Sequence, residues 1–110
     1  MKKILYFSAP WCSPCKQFGP VMDRISQTGI LVEKVNVDNA PAVAAAYNVR
    51  SVPTVIIVDR SGNETGRSVG MLSESQVRQL FNQLSSYIKL WENINQQKYL
   101  MALAAYSVNG

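Results

Sequence analysis

Trp11-Cys12-Ser13-Pro14-Cys15-Lys16 follows directly on the apolar run Ile4-Leu5-Tyr6-Phe7, and Cys12 and Cys15 are the only cysteines in the chain. The run from Lys3 to Phe7 reads as a centrally buried strand that leads into the CxxC turn. A helix is expected immediately afterwards, because Phe18, Val21, Met22 and Ile25 fall at i, i+3, i+4 and i+7 and give it one apolar face. Gly19-Pro20 interrupts that helix and is expected to kink it, since proline removes a backbone hydrogen bond and clashes with the preceding turn. A CxxC pair at a strand-to-helix junction puts one sulfur where it can attack and the other where it can resolve. It therefore reads as a dithiol redox centre, with two inert core thiols or half of a metal site as the alternatives.

Outward from the pair, Thr28-Gly29 ends the helix and Ile30 to Val37 reads as a second strand. Asp38-Asn39 is expected to supply the N-cap of a short helix over Pro41 to Tyr47, with Pro41 in its first turn and Asn48 closing it in the left-handed conformation. Thr54 to Val58, a turn through Asp59-Arg60-Ser61-Gly62-Asn63, and Glu64 to Val69 make a β-hairpin. Ser73 with Gln76 forms a capping box, and Val77, Leu80, Phe81 and Leu84 mark the apolar face of a further helix. The order βαβαββα predicts an α/β fold: a four-stranded mixed sheet with a parallel first pair, an antiparallel hairpin, and helices on both faces. The expected organisation is one domain over residues 1–84 and a helical C-terminal extension over residues 85–110. In that extension Ile88, Trp91 and Ile94 keep helical phase with Leu84, and no charge follows Lys98. So apolar a segment is expected to be buried, on its own domain or at an interface.

The 110 residues suit a single domain with one active centre, and 47% hydrophobic against 16% charged residues suits a compact core. No apolar run approaches the roughly 20 residues of a membrane-spanning helix, so no membrane association is expected. Met1-Lys2-Lys3-Ile4 resembles the basic start of a secretory signal. Cleavage after the short apolar run would destroy the CxxC site, and a cytoplasmic protein is the expectation. The net charge of +4 comes from 11 basic and 7 acidic residues with no run of like charges, which argues against nucleic-acid binding. With no histidine, and cysteines enough for only half of an all-cysteine site, no metal is expected.

A thiol at its ordinary pKa of about 8.5 is only a few per cent ionised at neutral pH, so a reactive cysteine needs a local cause of acidity. A helix beginning around Ser13 supplies one. Cys12 then sits at the helix N-terminus, where free N–H groups and the helix dipole stabilise a thiolate, while Cys15 lies one turn inside and is expected to be less exposed. Cys12 is expected to attack a partner disulfide, and Cys15 to release the mixed disulfide by closing the Cys12-Cys15 bond. Pro14 stiffens the dithiol loop and withholds one N–H, which should affect redox poise.

The motif resembles the active site of the thioredoxin family, whose commonest form carries glycine where this chain has Ser13. Pro20 falls where thioredoxins kink the active-site helix. Lys34-Val35-Asn36-Val37-Asp38 resembles a strand signature of the family, Ser51-Val52-Pro53-Thr54 its cis-proline loop, and Val69-Gly70-Met71-Leu72-Ser73 the glycine loop before its final helix. The resemblance covers Lys3 to Leu84. It implies that Pro53 is cis beside the sulfurs, that Val52 offers backbone hydrogen bonds to an extended substrate, and that Trp11, Pro53, Gly70 and Met71 form the docking surface. Taken singly, a core aromatic at Trp11 and a turn glycine at Gly70 are the alternative readings.

The sequence departs from the family at two places. Tyr6 stands where thioredoxins usually carry a buried aspartate, and Lys34 matches the lysine that pairs with it, so both residues, like Ser13, are expected to tune the redox behaviour. Tyr6 can orient a water, bond the resolving sulfur, or simply pack the core. The family's opening strand and helix are also missing from this sequence, which predicts an exposed sheet edge at the second strand and makes a homodimer through that edge or through the tail conceivable.

The expected function is reduction of protein disulfides, with electrons from a flavin-dependent thioredoxin reductase, no bound cofactor, and a part in electron transport and cell redox homeostasis, as the resemblance implies. A glutathione-coupled, glutaredoxin-like reductase is the nearest alternative. A non-catalytic thioredoxin-fold binding subunit is the alternative from another class.

Overall fold

β1 (Lys3–Ser8) and β3 (Thr54–Val58) are apolar on both faces, so only central positions in a sheet can bury them. The computed structural model describes residues 2–83, and in it the sheet runs β2-β1-β3-β4, with β2 (Val32–Asn36) and β4 (Glu64–Val69) outermost. β1 pairs parallel with β2 and antiparallel with β3, and β3 and β4 form the hairpin, with a register irregularity at Ile57/Val58. This is the mixed four-stranded sheet that the alternation of elements predicts. The expected helical extension over residues 85–110 lies outside the described residues, as does Leu84.

Alternation along the two central strands sorts the core into two layers. Ile4 and Tyr6 of β1 and Val55 and Ile57 of β3 face one way, against Phe18, Met22 and Ile25 of α1 (Ser13–Ser26) and Val77 of α3 (Glu74–Asn82). Leu5, Phe7, Ile56 and Val58 face the other way, with Val35 and with Ala44 of α2 (Pro41–Ala46). Each fully buried large side chain contributes about 1.5–3 kcal/mol, so these two layers dominate the stability of the described domain.

The helices begin and end for identifiable reasons. α1 is one helix that continues through Pro20 to Ser26 and is capped at Gln27; Gly29, at φ +94°, makes the turn toward β2. α3 carries both hydrogen bonds of the Ser73/Gln76 capping box, and at its other end the Lys2 ammonium donates to the carbonyls of Phe81 and Gln83 at 2.8 and 2.9 Å. α2 corrects the sequence reading. Its N-cap is Ala40 and no side chain caps it. The Asp38 carboxylate accepts from the Trp11 indole instead, and the Asn36 side chain accepts from the Asp38 backbone N–H. Asn48 closes α2 at φ +55°, as its tolerance of the left-handed region suggests.

Among the described residues β2 has β1 on one side and no strand on the other. That edge carries Glu33, paired with Lys3 at 2.7 Å, and Lys34, paired with Asp23 of α1 at 2.5 Å. Charges at the middle of an edge strand discourage edge-to-edge pairing.

Candidate active site

Parallel pairing of β1 with β2 sets the end of both strands at one edge of the sheet, and the chain leaving β1 turns directly into α1 there. Cys12 is the N-cap of α1, with extended backbone (φ −91°, ψ 108°), and its sulfur accepts a hydrogen bond from the Cys15 backbone N–H at 3.2 Å. That N–H is one of the donors a helix start leaves without an intrahelical partner. The sulfur thus occupies the place of a capping oxygen, where the N–H and the positive end of the helix dipole favour negative charge. Pro14, in the first turn, has no N–H to add.

Cys12 and Cys15 are joined by a disulfide, with Cα atoms 5.3 Å apart. They are 5% and 6% exposed, so the expectation that Cys15 is the more buried residue does not hold in this disulfide form. The reason is that both pack in one small cluster with Ala9, against Val37 and Val52, and both are shielded to the same degree.

The loop facing the pair comes from the turn before β3. The Val52–Pro53 peptide is cis, Pro53 is buried, and its carbonyl accepts from the Gly70 N–H at 2.8 Å. Gly70 has φ +95°, a conformation that other residues adopt only under strain. Two loops distant in sequence are thereby joined, and one of them carries Val52 against the cysteine pair. Trp11 is 68% exposed and Met71 46%, so neither serves as a core side chain. Trp11 and Val52 line a cavity of about 120 Å³ with Val37, Val49, Arg50 and Ser51, on the α2 side of the sheet. The Trp11 Nε1–H donates to both Asp38 carboxylate oxygens, at 3.1 and 3.3 Å, which fixes the indole plane.

Tyr6 is 2% exposed; it packs the core, and its hydroxyl takes a partner other than the sulfur that the sequence suggested. Its ring packs edge-to-face on Phe18, with centroids 5.4 Å apart and planes at 74°, and its hydroxyl donates to the Cys15 backbone carbonyl at 3.1 Å. The resolving sulfur is not its partner. Burial pushes the phenol above its ordinary value, the Asp23 carboxylate adds to the rise, and a hydrogen bond with the Ser8 side chain works against it. Tyr6 is therefore neutral throughout the physiological range. Lys34 pairs with Asp23, a residue the sequence reading passed over, and both are about half exposed. Exposed Ser13 opens α1 as its first residue.

A group whose folded-state pKa is raised contributes stability that is present below its unfolded pKa and is lost as pH rises through the folded value. For Tyr6 that loss begins near the ordinary phenol value of about 10. Tyr6→Phe is expected to cost about 1 kcal/mol at neutral pH, the net worth of one buried hydrogen bond, and to flatten the alkaline fall in stability relative to wild type. Denaturant unfolding of the disulfide form at pH values from 7 to 11 measures both.

The arrangement can therefore hold a thiolate at Cys12, exchange it for a bond to Cys15 in the same helical turn, and present both beneath an exposed aromatic and a backbone edge at Val52. Comparison with known proteins agrees with that chemistry. The family model described as Thioredoxin matches residues 1–83. The chain is 37% identical to the thioredoxin of Porphyra purpurea over 86 residues, which cover 76% of this chain and 79% of that one. It is 38% identical to the thioredoxin of Chlamydia caviae over 84 residues, covering 74% and 81%. Among solved structures, a mutant thioredoxin from Halobacterium salinarum superposes with a TM-score of 0.69 at 32% identity, covering 77% of this chain and 75% of that one. Fasciola hepatica thioredoxin gives 0.67 at 28% identity, covering 73% and 77%.

Proposed function

The chain belongs to the thioredoxin family and is a thiol-disulfide oxidoreductase, and from that premise we propose that Cys12 attacks protein disulfides and Cys15 resolves the product. The hydrogen bond from the Cys15 N–H to the Cys12 sulfur carries this assignment, because it gives Cys12 a stabilised anion and leaves Cys15 without an equivalent donor among the described contacts. In the reductive direction the Cys12 thiolate bonds to one sulfur of the substrate disulfide, and the other sulfur leaves as a thiolate. Cys15, deprotonated, then attacks the Cys12 sulfur, forming the Cys12-Cys15 disulfide and releasing the second substrate thiolate. Two electrons pass to the substrate, and its two thiolates are protonated by solvent.

Trp11, Val52, Pro53, Gly70 and Met71 form the substrate-docking surface in this reading. The exposure of Trp11 and Met71 supports it, and so does Val52, which packs on the cysteine cluster and whose backbone makes no hydrogen bond among the described residues, as strand-like recognition of an extended segment requires main-chain donors and acceptors. Tyr6, Ser13, Pro14 and Lys34 tune the couple. The reductant in this reading is a flavin-dependent thioredoxin reductase, and the reaction takes place in the cytoplasm as part of electron transport and redox homeostasis. No helix among the described residues is long and apolar enough to cross a membrane.

Insulin reduction is the test. Turnover of the full chain with thioredoxin reductase and NADPH, and little with glutathione, is the expected result. Turnover driven by glutathione alone overturns the choice of donor, and no turnover with either donor overturns the catalytic reading in favour of a binding subunit.

A further inference from the structure

A second cavity, of about 350 Å³, opens to solvent on the α1 side of the sheet and reaches Cys15, between α1 and the edge strand β2. Its walls include Tyr6 and Ser8 from β1, Cys15, Lys16 and Gly19 from α1, and Lys34 and Asn36 from β2. At roughly 30 Å³ per water, it holds several waters or a small ion with its hydration.

The charged side chains that line it are both basic, and one carboxylate, Asp23, stands just outside the lining. Lys16 and Lys34 are cationic, and no carboxylate lines the walls. Asp23, further along α1, lies against Lys34 and holds its ammonium in place. Tyr6 is committed to the Cys15 carbonyl and neutral in the physiological range. On the other side of the cysteines Val37 and Val52 pack against them, and the titratable side chain of that segment, Arg50, is cationic and lines the Trp11 cavity. Cys15, 6% exposed in the disulfide form, must as a thiol lose its proton before it can attack; no side chain of this wall takes it, and the Asp23 carboxylate beside the wall is held by Lys34.

We propose that this slot admits a small oxyanion base, such as inorganic phosphate, which takes the Cys15 proton in the resolving step. The proposal rests on the assignment of Cys15 as the resolving thiol. The base removes the thiol proton, the freed sulfur pair attacks the Cys12 sulfur, the bond from Cys12 to the partner breaks, and the partner leaves as a thiolate that solvent protonates. The ammonium of Lys16, with that of Lys34 already paired to Asp23, leaves the slot net positive and favours an anionic base over a cationic buffer. Gly19 gives the means of testing this without touching the core. It lies one helical turn beyond Cys15, an ideal Cβ there meets nothing within 4 Å, and side chains on a helix lean toward its N-terminus, here toward Cys15.

Stopped-flow reaction of the reduced protein with a fluorescent peptide disulfide separates mixed-disulfide formation from its resolution. At fixed pH and ionic strength, the resolution rate of wild type is expected to rise by roughly tenfold across a phosphate series, a fraction of the 10²–10⁴ that a positioned base supplies, and to respond much less to Tris. Gly19→Glu, which plants a carboxylate over the thiol, is expected to raise the low-phosphate rate by roughly tenfold or more and to abolish the phosphate dependence. Gly19→Gln, of the same size and without a base, is expected to slow resolution and blunt the dependence. A resolution rate independent of phosphate, an equal response to Tris, or identical behaviour of the Glu and Gln variants overturns the proposal. Failure of the first phase, with no mixed disulfide formed, overturns the role of Cys12 instead.

Discussion

Cys12→Ser is expected to abolish disulfide reduction outright, while Cys15→Ser is expected to stop turnover but leave a stable mixed disulfide on Cys12. The asymmetry follows from the helix start. Of the two sulfurs, that of Cys12 receives the first-turn N–H, which in the proposed reading stabilises its thiolate once the disulfide is reduced. A serine there is a poor nucleophile at neutral pH, and exchange then depends on Cys15, whose backbone carbonyl is occupied by Tyr6 and whose sulfur has no donor among the described hydrogen bonds. Removing Cys15 costs the intramolecular attack. Effective molarities of roughly 10⁵ M and above for oriented groups turn release from a fast unimolecular step into a slow reaction with outside thiols. Mass spectrometry of the trapped species checks the result, and partners attached through Cys15 in Cys12→Ser would reverse the assignment.

Phe18→Ala is expected to destabilise the described domain by about 3–5 kcal/mol, the range for truncating a fully buried aromatic. Phe18 is 0% exposed, packs in the layer formed by Ile4, Met22, Val55 and Ile57, and meets Tyr6 edge-to-face. It also lies one turn beyond Cys15 on α1, so the cavity it leaves loosens the seat of the active-site helix as well as the core. Against a typical total of about 5–15 kcal/mol, the loss leaves a domain that is only marginally folded. Denaturant unfolding measures the loss, and a change below about 1 kcal/mol would show that the layer collapses around the gap.

What could be read from the sequence was local in its causes. The apolar runs of β1 and β3 can only be central strands, the Ser73/Gln76 box starts α3 within four residues, and a CxxC directly after a buried strand falls at a helix N-terminus. The resemblance at Ser51-Val52-Pro53-Thr54 anticipated the cis peptide, which the spacing of residues alone does not reveal. The misreadings have tertiary causes. Asp38 has the composition of an N-cap, but an indole N–H carried on the loop after β1 competes for the same carboxylate. Lys34 lacks the aspartate that the family places on β1, and its partner Asp23 comes from α1, a pairing fixed by how the helix lies across the sheet. Tyr6 bonds a carbonyl rather than a sulfur for the same reason, since the docking of α1 decides which atom of Cys15 meets the hydroxyl.

The two cavities at the helix start open on opposite sides of the sheet, the Trp11–Val52 cavity beside α2 and the Cys15 slot beside α1. A protein stacked on Trp11 and threaded along Val52 seals one side only. In the proposed mechanism electrons then cross the sheet edge through a closed contact while the Cys15 proton leaves through an open one on the other face. Deprotonation of Cys15 under that proposal consequently need not wait for a docked partner's interface to open, because the slot lies on the face away from Trp11 and Val52.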